Sequence, residues 1–283
     1  MSEARVSLAI AEHPQGRRRG GAYLLRILGV TAAADYKLKY SGSLLGYVWS
    51  VAKPLLLFTM LYFVYGHIFK LDKVSAYYPT SLLMGLVCFY FFADATMLGM
   101  YSLVMKESML RKLIFPRVVI PISTVVTAAI TFMINLLVVG VFIAAADITP
   151  RLDWLLLLPL LVELLAFVVG ISLILATLFV RLRDLSQIWE LVVQLFMFGS
   201  PIMYPVGYLP EWARKIVFLN PFTQILQDAR ALVLYPDVPR NKITVDQVFG
   251  PYGRLAPIGV ALAVLLIGLL FFKREEPWLA ERV

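Results

Sequence analysis

Cysteine occurs once and histidine twice in the 283 residues. A single cysteine excludes an internal disulfide and any multi-cysteine metal site, and Cys88, set in an apolar run, reads as a small buried hydrophobe. His13 and His67 lack the spacing of a metal-binding pair. No GxxxxGK[ST] phosphate-binding loop is present, so the chain has no ATP site of that kind and any drive by ATP comes from another polypeptide. No metal is expected, nor any cofactor within this chain. Charge is scarce too: 16% of residues are charged and 60% hydrophobic, against roughly 25% and 45–50% in soluble domains.

What fills the sequence instead is apolar length. Nearly uncharged runs of about 20 residues can cross a bilayer core as helices. Six such runs are expected, over approximately 44–69, 78–104, 118–146, 154–180, 188–203 and 256–272. The fold class is therefore all-α and integral to the membrane. Residues 1–20 read as a mobile cytoplasmic tail ending in Arg17, Arg18 and Arg19, with no h-region of a cleavable signal after them. From Ala22 to Tyr40, Leu24, Ile27, Thr31, Ala34 and Leu38 recur at three- and four-residue steps against Arg26, Lys37 and Lys39. That pattern predicts an amphipathic helix lying in the membrane interface.

Between the second and third spans the character changes. Lys106, Glu107, Arg111, Lys112 and Arg117 crowd together while Met105, Met109 and Leu113 keep a helical stripe. A short charged helix over about 105–115 should end before Pro116. After the fifth span the proline-broken stretch Ser200-Pro201-Ile202-Met203-Tyr204-Pro205 leads to two short helices within about 210–234. Asn220 suits the N-cap of the second and Pro221 its first position.

Six spans put both termini on one face, and the basic residues gather there: the N-terminal segment through Lys53, the Lys106–Arg117 loop, Arg181 with Arg183, and the C-terminal tail. The positive-inside rule makes that face, and with it both termini, cytoplasmic. It also accounts for the net charge of +8 through orientation and anionic membrane lipids, without nucleic acid. Asp94, Glu163 and Glu190 fall inside spans, where a carboxylate needs a polar cavity or a neighbouring helix. The aromatics of the first two spans, among them Tyr47, Trp49, Tyr62, Tyr65, Phe89, Tyr90 and Phe92, have two readings. They supply lipid-facing bulk and interfacial belts, or they line a path along which the C–H faces of sugars slide.

Several stretches, in this order and between these spans, resemble the ABC-2 type permeases of polysaccharide export, the Wzm, capsule and teichoic-acid translocator group. They are Asp35-Tyr36-Lys37-Leu38-Lys39-Tyr40, Leu44-Leu45-Gly46-Tyr47-Val48-Trp49 with Lys53-Pro54, Lys112-Leu113-Ile114-Phe115-Pro116-Arg117 with Pro121, Arg181-Leu182-Arg183-Asp184-Leu185, and the 200–205 stretch with Leu219-Asn220-Pro221. The resemblance covers about 35–283 and places 21–283 in one transmembrane domain. It implies a homodimer enclosing a channel, with two copies of a separate ATPase subunit that carry ATP and magnesium. The 105–115 helix then becomes a coupling helix, with Lys106, Glu107, Met109, Arg111 and Lys112 on the ATPase. The helices of 210–234 become external gate helices, in a gate region with Pro201, Tyr204, Pro205, Asn220 and Pro221. Lys37, Lys39 and Lys53 become candidates for a lipid head group or pyrophosphate. The cargo implied is a lipid-linked polysaccharide; similarity to actinobacterial members favours a cell-wall galactan, while O-antigen, capsule and teichoic-acid exporters share the motifs. Two other readings remain: a membrane glycosyl- or acyltransferase using Asp94, Glu163 or Asp184, and an exporter of drugs or lipids.

Overall fold

Inside a bilayer each backbone N–H and C=O must find its partner within the protein, which leaves helices or closed barrels. Every regular element among the described residues is helical. The structure is a computed structural model and describes residues 21–40, 46–73, 75–107, 116–235 and 243–282. The expected tail 1–20 and residues 108–115 of the charged segment lie outside the described residues.

Helix α1 (Gly21–Tyr40) precedes α2 (Gly46–Leu61), which contains Pro54 and widens into a π-helical stretch, Tyr62–Ile68. Next come α3 (Tyr78–Met105), α4 (Val119–Ala145), a short 3-10 turn at Leu152–Leu156 and α5 (Leu157–Arg181). Among the described residues, five segments are long and apolar enough to cross a membrane: Val48–Ile68, Tyr78–Met105, Val119–Ala145, Leu152–Arg181 and Leu255–Trp278. The fifth expected crossing is α6 (Leu185–Gly199), only 15 residues, or about 22 Å at 1.5 Å per residue. It ends before residue 203 because Ser200 turns extended, at φ −90° and ψ 140°, as the residue before a proline prefers. Three short helices follow, α7 (Glu211–Phe218), α8 (Pro221–Val233) and α9 (Val245–Phe249), and then α10 (Leu255–Arg282). The last helix does not stop at 272; it carries the charged C-terminal residues as a further helical stretch.

The core forms around α3, which is apolar on all sides and buried along most of its length, as a central helix should be. Helix α4 lies on one side of it and α5 on another, and α5 in turn makes the most extensive helix contact of the protein, with α10. At that crossing a Cβ on Gly170 would lie 2.7 Å from the backbone N and Cα of Leu265, and one on Gly268 would lie 2.5 Å from the carbonyl oxygen of Gly170. Lipid gives apolar helices no hydrophobic reason to associate, so close backbone approach at small residues supplies the contact instead. By contrast, no residue of α6 is buried.

Candidate functional site

A groove with a volume of about 160 Å³ opens where α2, α3 and α4 meet. Each helix supplies a pair of residues four apart, the spacing that stacks two side chains on one face. They are Trp49 and Lys53 from α2, Tyr90 and Asp94 from α3, and Thr131 and Asn135 from α4. The Asn135 amide donates to the Ser50 carbonyl at 3.2 Å and to the Thr131 carbonyl at 2.9 Å, tying α4 to α2. Trp49, Lys53 and Asp94 are exposed and Tyr90 is half-buried. Charges within spans cost energy unless they meet a polar cavity, so this combination of a cation, a carboxylate, an amide, a hydroxyl and two rings suits a wetted wall.

Of the seven aromatics considered for a lining role, Trp49 and Tyr90 share this groove. Tyr62 and Tyr65 sit at the far end of the same span, with Tyr62 5.7 Å from Phe58 and 5.1 Å from His67, ring centre to ring centre. Phe89 and Phe92 are buried in the core, away from the groove. Phe92 is 1% exposed and packs against Phe196 at 4.5 Å and Phe222 at 5.8 Å. Tyr47 belongs to α2, but its side chain lies outside the described residues, as does that of Lys39. Lys37 is exposed on α1, away from Lys53's groove by residue lining. Thr131 and Asn135 were not singled out from sequence; their i, i+4 spacing on α4 was the available signal.

At the end of α3 that leads into the charged segment, Lys106 faces inward. Its ammonium pairs with Asp35 of α1 and donates to the Ser123 hydroxyl of α4 at 3.3 Å. The resemblance implied an ATPase contact for Lys106; the structure engages its charge within the subunit. Glu107 is half-buried, and Met109, Arg111 and Lys112 lie outside the described residues.

At the other end of α3, Tyr204 and Pro205, expected at a gate, line a cavity of about 250 Å³ together with Tyr78, Tyr208 and Tyr235. Pro201 is buried beside it. Asn220 caps α8, its side-chain oxygen accepting from the Phe222 N–H at 3.1 Å, and Pro221 opens the helix. Rather than a surface helix, α8 is nearly enclosed: every residue from Pro221 to Ala231 is buried. Its polar groups therefore need internal partners. The Arg230 guanidinium donates to the carbonyls of Ser81 (2.8 and 3.2 Å), Pro201 (2.7 Å) and Ile202 (2.9 Å). Gly85 makes room for it, since a Cβ there would lie 2.6 Å from Nη2. Two residues earlier, Asp228 accepts from Gln224 at 2.9 Å and meets Arg254 at 3.3 Å. Burial pushes the Asp228 carboxyl above the usual carboxylate range, with Gln224 and Arg254 pulling it back.

Comparison with known proteins adds an independent observation. A family model described as ABC-2 type transporter matches residues 28–234. The chain is 32% identical over 213 residues to an O-antigen export system permease protein, RfbA, of Klebsiella pneumoniae, covering 75% of this chain and 82% of that protein. A second Klebsiella pneumoniae protein of that name is 30% identical over 260 residues, 92% of this chain and 95% of the relative. The polysialic acid transport protein KpsM of Escherichia coli is 21% identical over 250 residues, covering 86% and 90%.

Proposed function

The chain belongs to the ABC-2 type transporter family, and from that premise we propose that it is the membrane permease of an exporter carrying a lipid-linked polysaccharide outward. It is a transport subunit and not an enzyme, and membership implies an ATPase partner. The observation that carries the cargo class is the groove of α2, α3 and α4. Rings that contact sugar C–H faces stand there beside Lys53, Asp94 and Asn135, within segments that otherwise hold few charges.

On this reading two copies assemble, the exposed faces of α2 and α6 turn toward a shared path, and two ATPase subunits act from the cytoplasmic side of a bacterial inner membrane. Both termini are cytoplasmic. Lys53, with Lys37 and Lys39 nearer the interface, offers charge to a head-group phosphate or pyrophosphate. Similarity along nearly the whole length to permeases named for O-antigen export supports the cargo class. A galactan is one member of that class.

The test is export itself. The permease and its ATPase, reconstituted in liposomes with a lipid-linked glycan inside, should expose glycan to an external lectin when ATP is supplied. No ATP-dependent exposure, together with failure to co-purify with any ABC ATPase, would refute the proposal.

A further inference from the structure

The charged segment between the second and third spans leaves α3 at Lys106 and rejoins the described chain at Pro116, and both of its roots are tied to distant parts of the sequence. At the first root, Lys106 pairs with Asp35, 71 residues away on α1, and bonds Ser123 on α4. At the second root, the Arg117 backbone N–H donates to Glu276 Oε1 at 3.2 Å and its guanidinium donates to the Glu276 carbonyl. Glu275, the next residue, pairs with Arg181 at the end of α5. Just before these two acids, Phe272 is 1% exposed in a cluster with Leu103, Ile120, Leu173, Ala176 and Val180, from α3, α4 and α5.

This arrangement explains why α10 continues beyond its apolar run. Lys273, Arg274, Pro277 and Trp278 face outward while Glu275 and Glu276 are partly buried. An exposed charged extension would gain little from a helix alone. Here the extension is held on one face by an apolar plug, by the Glu275 pair with Arg181 of α5, and by the bonds between Glu276 and Arg117 in the turn that leads into α4. Charge-assisted bonds are stronger and more directional than neutral ones, and neighbouring pairs that share one rigid helix act together.

We propose that Glu275 and Glu276 are positioning residues of energy coupling, and that the cytoplasmic end of α10 is a strut joining the coupling segment's second root to α5. The proposal rests on the export reading above. A push on the segment then reaches α1 through Lys106 and Asp35, and reaches α5 and α10 through Arg117, Glu276, Glu275 and Arg181. Without the strut the segment can move while the spans stay still. ATP is then hydrolysed without matching export.

The test uses the permease–ATPase complex in liposomes and reads glycan exported per ATP hydrolysed. Arg181→Glu should lower this ratio by about fivefold, the consequence of losing one partly exposed charged contact in a coupled set, while the complex still assembles. The swap Arg181→Glu with Glu275→Arg should recover it, which ties the loss to this one contact; a merely structural loss would lower assembly and leave the ratio of the assembled complex unchanged. Glu275→Gln keeps the shape and removes the charge, so it serves if the reversal fails to assemble, and it should lower the ratio in the same direction. An unchanged ratio in an assembled Glu275→Gln or Arg181→Glu complex, or a swap that recovers nothing, overturns the proposal. Failure of the export reading shows separately, as a wild-type complex that hydrolyses ATP without moving glycan. The strut is then scored by the distance between spin labels at Val118 and Lys273, placed in a protein whose only native cysteine, Cys88, is buried. A distance that stays constant between ATP and ADP states in wild type and broadens in Glu275→Gln supports the strut; a distance insensitive to Glu275→Gln overturns it.

Discussion

Replacing Arg230 by methionine should lower the thermal stability of the solubilised protein by a sum that the structure allows to be worked out. Arg230 donates four hydrogen bonds to three carbonyls. The Ser81 carbonyl lies inside α3 and retains its helical partner. The Ile202 carbonyl loses its donor, and the Pro201 carbonyl keeps only a long 3.4 Å bond from Gln227. A buried acceptor left without a donor costs about 1–3 kcal/mol, so the Ile202 carbonyl costs that much and the weakened Pro201 carbonyl a smaller share, up to about 5 kcal/mol together. Removing a buried guanidinium from an apolar setting returns part of this, leaving a net loss of about 3 kcal/mol. At roughly 2–4 °C per kcal/mol for a chain of this size, the midpoint falls by about 6–12 °C. The assay is the fraction of monodisperse protein surviving a heating series, at one fixed heating rate because such unfolding is irreversible. Gly85→Ala should produce a similar loss, since its Cβ would lie 2.6 Å from Nη2 and displace the guanidinium. The two changes share one interaction, so the double variant should lose less than the sum. An Arg230→Met protein that survives heating like wild type, or losses that add, would refute the account.

Gly170→Ala should cost about 1–3 kcal/mol in the same heating series, because its Cβ meets the Leu265 backbone, which cannot swing aside; Gly199→Ala, with no atom within 4 Å, should be close to neutral. Asn220→Ala removes the α8 cap and should cost about 1 kcal/mol, visible as earlier loss of protection in amide exchange over Phe222–Gln224. Trp49→Ala and Tyr90→Ala should each slow export about five- to tenfold, the effect of losing ~1 kcal/mol of ring contact, while Phe63→Ala, exposed and outside the groove, should leave the export rate unchanged.

Local chemistry made some of this architecture legible in the sequence and hid the rest. The α8 start could be read from Asn220 and Pro221 alone, because capping is settled within three residues. The long apolar runs announced themselves, because crossing a bilayer is a matter of length. Which face of a run points inward was not legible: Phe92 and Trp49 are both aromatics in spans, and only the packing of α6 and α8 against α3 makes the first a core residue and the second an exposed one. Arg230 escaped notice for a related reason. With Gln224, Gln227 and Asp228 beside it, α8 reads as a polar surface helix, and the carbonyls that accept from Arg230 come from 28 and 149 residues away. Lys106 misled in the opposite direction, since a lysine in a basic loop suggests an outward contact and its partner Asp35 sits 71 residues back on another helix.

The Arg230 contact also limits how this end of the protein can change shape. One side chain fastens α8 to the first turns of α3 and to the bend that ends α6, so those three pieces shift together or not at all. Any dilation wide enough for a large solute is therefore pushed away from the interior of a single subunit. It falls instead on α2 and α6, whose exposed surfaces lie outside the block that Arg230 holds together.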